Sequence, residues 1–148
     1  MVPLVLSIDD DKSSQILMHA YLKDEDFCAE FVSKVNGQEA IDYLVELANL
    51  ASAEAWPDVI FLDINMPVLD GWGFIARFKE LCELHSQYPI VVMVSATQTA
   101  EDLAKVEAEP LLLNLTLKPI NSRTIDQLRQ LSALRGFFNS RQPSSMGR

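Results

Sequence analysis

The sequence DVIFLDINMPVLDG, residues 58–71, places a continuous apolar run directly before an aspartate and a turn. Residues 59–62 are apolar at every position, which is typical of a parallel strand covered by helices on both faces. Asp63 follows at the carboxyl end of this predicted strand. Because open α/β sheets bind ligands outside the carboxyl ends of their strands, Asp63 is a candidate functional residue. The alternative is that Asp63 only caps a loop, since aspartate is also common in turns.

Four other short apolar segments have the length of strands, and a segment with helical spacing of apolar residues follows each of them. These predicted strands lie at residues 2–8, 27–32, 90–94 and 111–117. We expect helices to begin at Ser13, after the Asn36-Gly37 turn, after Gly71, at Thr99 and at Asn121, and the second helix to fray over residues 51–56. This alternation predicts an α/β fold with a doubly wound, five-stranded parallel sheet and five helices on its two faces.

The length of 148 residues suits one domain whose core needs no disulfide or metal to stabilise it. We expect residues 1–135 to form that domain. Almost no apolar side chain occurs from residue 141 onward, and residues 136–148 are therefore expected to be a short, polar, disordered tail. Cys28 and Cys82 lie in apolar segments without CxxC spacing, which indicates buried thiols in a reducing compartment.

The formal net charge of -9 restricts the kinds of partner that we expect. Nucleic-acid binding depends on lysines and arginines that neutralise phosphates, so an acidic chain argues against direct contact with nucleic acid. No apolar run has membrane-spanning length and no secretory leader is evident, which predicts a cytoplasmic protein that does not enter a membrane. A tail of this size is too short for an output domain, so we expect the protein to act through contact with other proteins.

Polar residues stand at the carboxyl ends of four of the predicted strands, where a parallel sheet brings them together. They are Asp9, Asp10, Asp63, Ser95 and Lys118. Carboxylates about 5 Å apart repel by roughly 3 kcal/mol per pair at an effective dielectric constant near 20. A hard divalent cation with oxygen ligands, such as magnesium, would offset this repulsion. An aspartate beside a metal, an ammonium group and a hydroxyl is arranged to accept a phosphoryl group, and Asp63 is the predicted nucleophile.

These motifs together resemble the receiver domain of two-component response regulators, and in layout the stand-alone chemotaxis type. The resemblance covers residues 2–134. It is carried by Ile8-Asp9-Asp10, by Leu62-Asp63-Ile64-Asn65-Met66-Pro67 with Asp70-Gly71, by Val94-Ser95-Ala96 and by Leu117-Lys118-Pro119. Each motif alone is weak, but the combination is specific. The resemblance implies a flavodoxin-like fold with the strand order 2-1-3-4-5.

The resemblance also implies a magnesium site. In such a site Asp10 and Asp63 bind the ion directly, and Asp9 holds it through water. Asn65 contributes its backbone carbonyl.

The same resemblance assigns the phosphoryl chemistry. Asp63 takes a phosphoryl group from the phosphohistidine of a histidine kinase or phosphotransfer protein. Ser95 donates its hydroxyl to a phosphoryl oxygen, and Lys118 pairs with the carboxylate or the phosphoryl group. The bond between Lys118 and Pro119 resembles the cis peptide of the family. Such a protein is not a conventional enzyme, since it catalyses only its own phosphorylation and dephosphorylation, and it signals to a downstream protein.

Three other interpretations of the chain remain open. In the first, the residues have only structural roles: the acids at 9–11 are a charge cluster at a helix start, Ser95 is a cap and Lys118 is a surface residue. In the second, the chain is a receiver-like scaffold that acts independently of phosphorylation, and in the third it is an intermediate in a phosphorelay.

Two further roles are not supported by the sequence. A phosphatase of the haloacid dehalogenase type would need Asp-x-Asp, where this chain has Asp63-Ile64-Asn65. His19 and His85 have no acidic or cysteine partners at ligand spacing, so neither is a candidate phosphodonor.

The sequence departs from the resemblance at Leu115, where receivers commonly carry Tyr or Phe three residues before the lysine. Turning a leucine inward hides less area than turning an aromatic ring. We therefore expect phosphorylation to be reported mainly through Ser95 and the loop at 96–99.

Overall fold

The computed structural model of the protein describes residues 1–50 and 56–139. The strands are β1 (Val2–Ile8), β2 (Cys28–Lys34), β3 (Val59–Asp63), β4 (Ile90–Ser95) and β5 (Leu112–Leu117), and the helices are α1 (Lys12–Asp24), α2 (Gly37–Ala48), α3 (Gly71–His85), α4 (Ala100–Ala108), α5 (Ser122–Gln130) and α6 (Ser132–Asn139). Within the described ranges, no helix combines the length and apolar character that a membrane span requires.

The five strands form one sheet in the order β2-β1-β3-β4-β5, and every neighbouring pair is parallel. This confirms the predicted doubly wound fold and its strand order. The register aligns Ile8 with Leu62, and Ser95 with Leu117. As a result, β1, β3, β4 and β5 all end at the same edge of the sheet.

Strand β3 is apolar throughout because both of its faces are buried. Ile60 and Leu62 belong to the core under α2, α3 and α4. Val59 and Phe61 point to the opposite face and belong to the core under α1, α5 and α6. The central strand is therefore fixed from both sides, which holds Asp63 at its end in a defined position.

Side-chain caps begin five of the helices, and three of these caps were not predicted from the sequence. Thr99 caps α4 and Asn121 caps α5, as predicted. The cap of α1 is Asp11 and not Ser13, because the Asp11 carboxylate accepts hydrogen bonds from the amides of Ser13 and Ser14 at 2.9 and 3.3 Å. At residue 36 the sequence predicts a turn, but the Asn36 side chain caps α2. Asp70 caps α3.

The described residues contain six helices, one more than predicted, because α5 ends at Gln130 and a separate helix, α6, runs from Ser132 through Gly136 to Asn139. Glycine disfavours a helix by about 1 kcal/mol relative to alanine. Burial of aromatic side chains outweighs this cost: Phe137 and Phe138 pack against the core, and the Phe138 ring lies 5.2 Å from that of Phe27. Residues 136–139 are therefore not a disordered tail. The remainder of the predicted tail, 140–148, lies outside the described residues, as do residues 51–55.

Val68, in the loop after β3, has a φ angle of 70° and is 79% exposed. This left-handed conformation costs an L-residue roughly 1–2 kcal/mol, and asparagine tolerates it better than a β-branched residue. We expect Val68→Asn to raise the melting temperature by about 4 °C, corresponding to about 1 kcal/mol. Thermal unfolding followed by circular dichroism measures this change. Val45→Asn, at an exposed helical valine, is the control and should give no increase. A lower melting temperature for Val68→Asn would contradict the argument.

Candidate phosphoacceptor site

The acidic residues predicted for the site meet at the carboxyl edge of the sheet. Asp9 and Asp10 follow β1, and Asp63 is the last residue of β3. One carboxylate oxygen from each lies within 4.8 Å of those from the other two. Asp9 and Asp63 are buried, whereas Asp10 is exposed. The structure therefore brings together the three carboxylates that the sequence predicted, and their chemical roles remain predictions.

Asp9 is held at both carboxylate oxygens. Its Oδ1 accepts a hydrogen bond from the backbone amide of Asp11 at 2.9 Å. Its Oδ2 lies 2.8 Å from the Nζ of Lys118. Because the side chain is only 5% exposed, this ion pair is desolvated and its geometry is restricted.

Lys118 follows β5, and its backbone amide donates to the carbonyl of Ser95 at 2.8 Å. The peptide bond to Pro119 is cis, as the resemblance implied. The Nζ lies 3.6 Å from Asp63 Oδ2 and so is closer to Asp9. Burial alone would lower the pKa of the ammonium group, but hydrogen bonds and attraction to Asp9 and Asp63 raise its pKa overall. Lys118 is therefore a stable positive charge between two carboxylates.

The pKa of Asp63 is raised to about 6, mainly because burial penalises the charged carboxylate. The negative charge of Asp9 raises it further. Lys118 and the backbone N–H of Asn65 act in the opposite direction without cancelling the increase. The side chain of Asn65 is exposed. Asp63 is therefore a carboxylate whose charge the protein compensates only in part.

Ser95 ends β4 at the same edge of the sheet and is 1% exposed. Its Oγ accepts a hydrogen bond from the backbone amide of Thr97 at 3.3 Å. The hydroxyl is therefore linked to the β4–α4 loop, and its predicted contact with a phosphoryl oxygen remains a prediction.

Gly71 allows α3 to begin directly against the end of β3. Its amide donates to the carbonyl of Ile64 at 2.8 Å. A Cβ at this position would lie 2.8 Å from the carbonyl oxygen of Asp63 and 2.9 Å from Cα of Ile64. A larger residue would therefore displace the backbone that carries the candidate nucleophile.

The donor set fits a hard divalent cation. All three side chains supply carboxylate oxygens, which magnesium and calcium prefer, and no sulfur or imidazole ligand is present in the cluster. Three carboxylates face one ammonium group, that of Lys118, which leaves a formal excess of two negative charges for a cation to offset. Within residues 1–50 and 56–139 this is the only place where three or more acidic, histidine or cysteine side chains lie close enough together to hold one metal ion. His19 instead stacks on Phe31 with ring centroids 4.5 Å apart.

Gln15 lies near the site, and no role was predicted for it. It lies on α1 and is 8% exposed, and the two N–H groups of its side-chain amide are shared among three backbone carbonyls at the ends of β1 and β2. Glutamine is common on exposed helix faces, so its residue type gave no signal. A polar residue on the face of α1 that also carries the buried Met18 and Leu22 was the only available indication.

The fold and the site define a class: doubly wound α/β domains with an acidic, lysine-paired site at the carboxyl edge of the sheet. Residues 5–129 match the family described as the response regulator receiver domain. The chain therefore belongs to the response regulator receiver domain family, which confirms the resemblance found in the sequence.

Several known proteins are similar to the chain. A two-component response regulator from Cytophaga hutchinsonii is 31% identical, with a TM-score of 0.77 over 86% of this chain and 93% of that one. The chemotaxis protein CheY4 of Vibrio cholerae shares the fold, at 24% identity and a TM-score of 0.66 over 88% of this chain and 98% of that one. A protein-glutamate methylesterase/protein-glutamine glutaminase from Bacillus licheniformis is 30% identical over 122 residues, which are 82% of this chain and 31% of that protein. The chain thus spans about a third of the length of this relative.

The raised pKa of Asp63 predicts how the stability of the metal-free protein depends on pH. Because the folded-state pKa of about 6 exceeds the ordinary 3.8, the folded protein binds this proton more tightly than the unfolded chain. The associated stability is present below pH 4 and is lost as the pH rises through 6. After solvent screening we expect a loss of about 1–2 kcal/mol.

Urea unfolding of the metal-free wild type and of Asp63→Asn at several pH values measures the contribution of Asp63 to stability. The other carboxylates titrate in both proteins, so the difference between the two proteins isolates this one residue. The stability of Asp63→Asn relative to wild type should increase between pH 4 and pH 7. A constant difference between the two proteins would show that the Asp63 pKa is not raised.

Proposed function

We propose that this receiver domain accepts a phosphoryl group on Asp63 from a phosphohistidine of a histidine kinase or phosphotransfer protein. The observation that carries the proposal is the placement of the Asp63 carboxylate. It is buried at the end of β3, two further carboxylates lie within 4.8 Å, and the Lys118 ammonium is 3.6 Å away. The phosphorylated domain then signals to a downstream protein by direct contact.

In the proposed reaction a carboxylate oxygen of Asp63 attacks phosphorus, and a P–O bond forms while the P–N bond to the imidazole breaks. The electron pair of that bond leaves with the imidazole. Magnesium would neutralise phosphoryl charge, and Asp10, Asp63 and the Asn65 carbonyl would hold it, with Asp9 acting through water. Lys118 offsets the negative charge that the phosphoryl oxygens bring to the site, and Ser95 donates its hydroxyl to one of them.

The chain on this proposal is a phosphorylated switch and not a conventional enzyme, because the only group transferred is its own phosphoryl group. A scaffold that acts independently of phosphorylation is the alternative, and such a scaffold does not need an intact acid, hydroxyl and lysine set. This chain carries all of these residues at one edge of the sheet. A place within a phosphorelay is compatible with the same chemistry.

Exposed apolar residues on α1 support docking of a protein phosphodonor. Ile16 is 72% exposed and Leu17 is 45% exposed, and we call these two residues the α1 patch. Leu17 also lines a small pocket together with Asp9 and Lys118. The α1 patch thus lies beside the acidic site, where a donor must present its phosphohistidine. Apolar contact there would contribute to donor affinity.

Phosphotransfer from autophosphorylated histidine kinases of the host tests the proposal, using the kinase that transfers fastest to the wild type. We expect Ile16→Asp to slow that transfer about tenfold, since buried interface anchors contribute at least 1–2 kcal/mol. Labelling by acetyl phosphate should not change, because a small donor does not need the α1 patch.

Leu84→Asp is the matched control, since Leu84 is 74% exposed on α3 and outside the patch. Transfer to Leu84→Asp should equal transfer to wild type. If no kinase and no acyl phosphate labels the wild-type protein, the proposed function fails. If Ile16→Asp and wild type accept the group equally fast from the kinase, the docking surface is wrong while the phosphoacceptor assignment stands.

A further inference from the structure

The side-chain amide of Gln15 connects the ends of two strands at the acidic site. Its Nε2 lies 3.2 Å from the carbonyl oxygen of Ser7 and 3.1 Å from that of Asp9, both at the end of β1. The third acceptor is the carbonyl of Lys34, the last residue of β2, at 3.1 Å. These contacts span up to 19 positions in the sequence, so they hold the tertiary structure and not only a local turn.

The surroundings of the Gln15 Nε2 require a hydrogen-bond donor at this position. Three carbonyl oxygens surround the Nε2, and the opposite orientation of the amide would bring its oxygen against all three. The Oε1 is buried and has no partner among the described residues. An unmade hydrogen bond of this kind costs stability, so the donor function is what the buried amide provides.

The backbone that Gln15 holds is the backbone that carries the acidic pair. The Asp9 amide donates to the same Lys34 carbonyl at 3.0 Å. The Asp9 carbonyl belongs to the peptide group that leads into Asp10, so fixing it fixes the direction in which Asp10 leaves the strand. Asp10 is exposed, and its neighbours do not enclose its side chain.

We propose that Gln15 is a positioning residue that sets the geometry of Asp9 and Asp10 for magnesium binding. This inference rests on the proposed function, because it assumes that the three carboxylates hold the ion. Gln15 contacts neither the ion nor the phosphoryl group and acts through the backbone of the strand ends. Mutation of residues that hold metal ligands in place without touching the ion commonly lowers metal affinity 10- to 100-fold, and we expect an effect of roughly this size here.

Three substitutions separate the donor function from the size of the side chain. Gln15→Met keeps a similar volume without a donor, and Gln15→Glu keeps the shape but directs acceptors at three carbonyls. Gln15→Lys supplies only donors. Val2→Ala is the control for a general loss of stability, because Val2 is fully buried at the opposite end of β1.

Each variant is characterised by two measurements. The first is magnesium affinity by calorimetry, and the second is hydrogen exchange at the backbone amides of Asp9 and Asp11 in the metal-free protein. We expect the neutral variant Gln15→Met to weaken magnesium binding about tenfold or more, and both Gln15→Met and Gln15→Glu to accelerate exchange at both amides. Because the charges of Gln15→Glu and Gln15→Lys act on the cation directly, these two are compared by exchange in the metal-free protein. Gln15→Lys should leave exchange at both amides within about threefold of wild type, and Val2→Ala should match wild type in both measurements.

The outcomes distinguish the inference from the proposed function. If wild type binds magnesium and Gln15→Met binds it equally well, the positioning role is overturned and the phosphoacceptor function stands. If wild type binds no magnesium, the proposed metal site fails and the positioning role for it fails as well. If Gln15→Met does not fold, exchange at the Asp9 and Asp11 amides in Gln15→Glu and Gln15→Lys decides, and equal exchange rates in those two would overturn the inference.

Discussion

Asp63→Asn should reduce phosphoryl incorporation from acetyl phosphate and magnesium by roughly a thousandfold or more, to the background of the assay. An amide oxygen is not the nucleophile that a carboxylate is, and no other carboxylate in the described cluster ends a strand in the same position. The readout is hydroxylamine-sensitive label, which is characteristic of an acyl phosphate. Asp10→Asn should slow incorporation severely without abolishing it, because it removes one ligand of the cation and leaves the nucleophile.

The matched control is Asp58→Asn, the same substitution just before the opposite end of β3. The Asp58 carboxylate accepts a hydrogen bond from the Leu4 amide at 3.0 Å, and an asparagine oxygen can accept that bond too. Asp58→Asn should therefore be labelled like wild type. Asp63→Asn removes a buried negative charge and should stabilise the metal-free protein. Loss of label in this variant would therefore not be due to misfolding. Equal label in Asp63→Asn and wild type would show that the nucleophile assignment is wrong.

The fold was predictable because the periodicity of the strands reflects their surroundings. Strand β3 is apolar at each position before Asp63 because Ile60 and Phe61 pack on opposite faces of the sheet. Local signals also identified the caps at Thr99 and Asn121. The extent of α6 was not predictable from local propensity, because Gly136 opposes the helix and the tertiary packing of Leu134, Phe137 and Phe138 stabilises it.

The placement of the site was predictable for a similar reason, since parallel strands necessarily bring their carboxyl ends to one edge. Contacts between side chains within the site were harder to predict from the sequence. That Lys118 lies closer to Asp9 than to Asp63 depends on side-chain geometry at the edge of the sheet. The role of Gln15 depends on the end of β2, 19 residues away in the chain. A sequence pattern contains neither relationship, because each requires the positions of groups that are distant in sequence.

Leu115 occupies the position where an aromatic residue is common, and the structure places it in the interior. Its side chain is 9% exposed and belongs to the core under α2, α3 and α4. Its carbonyl is 3.5 Å from the side-chain amide of Gln98, which lies in the β4–α4 loop. A residue that is already buried has no outward position to leave when the domain is phosphorylated. We expect the Ser95 hydroxyl and the loop that follows it to be the part of this edge that responds.

We therefore expect Ser95→Ala to abolish the response of the β4–α4 loop to phosphorylation. In wild type, beryllofluoride with magnesium should draw the Ser95 hydroxyl toward the phosphoryl analogue. This change alters the hydrogen bond from the Thr97 amide. Amide exchange at Thr97 should change by roughly tenfold, the effect of about 1.4 kcal/mol on a local opening equilibrium. Ser95→Ala has no hydroxyl to move, so the analogue should leave exchange at Thr97 nearly unchanged.

Leu115→Ala separates the switch from the stability of the core. Deleting a buried leucine side chain should lower the free energy of unfolding by about 2–5 kcal/mol, but the difference in Thr97 exchange with and without beryllofluoride should persist. Leu115→Val is the milder variant should Leu115→Ala unfold. Because both Leu115 variants retain the Ser95 hydroxyl, they should respond as wild type does at saturating analogue. The account fails if a Leu115 variant loses the beryllofluoride-dependent difference while Ser95→Ala keeps it, since the leucine would then be the residue that transmits the signal.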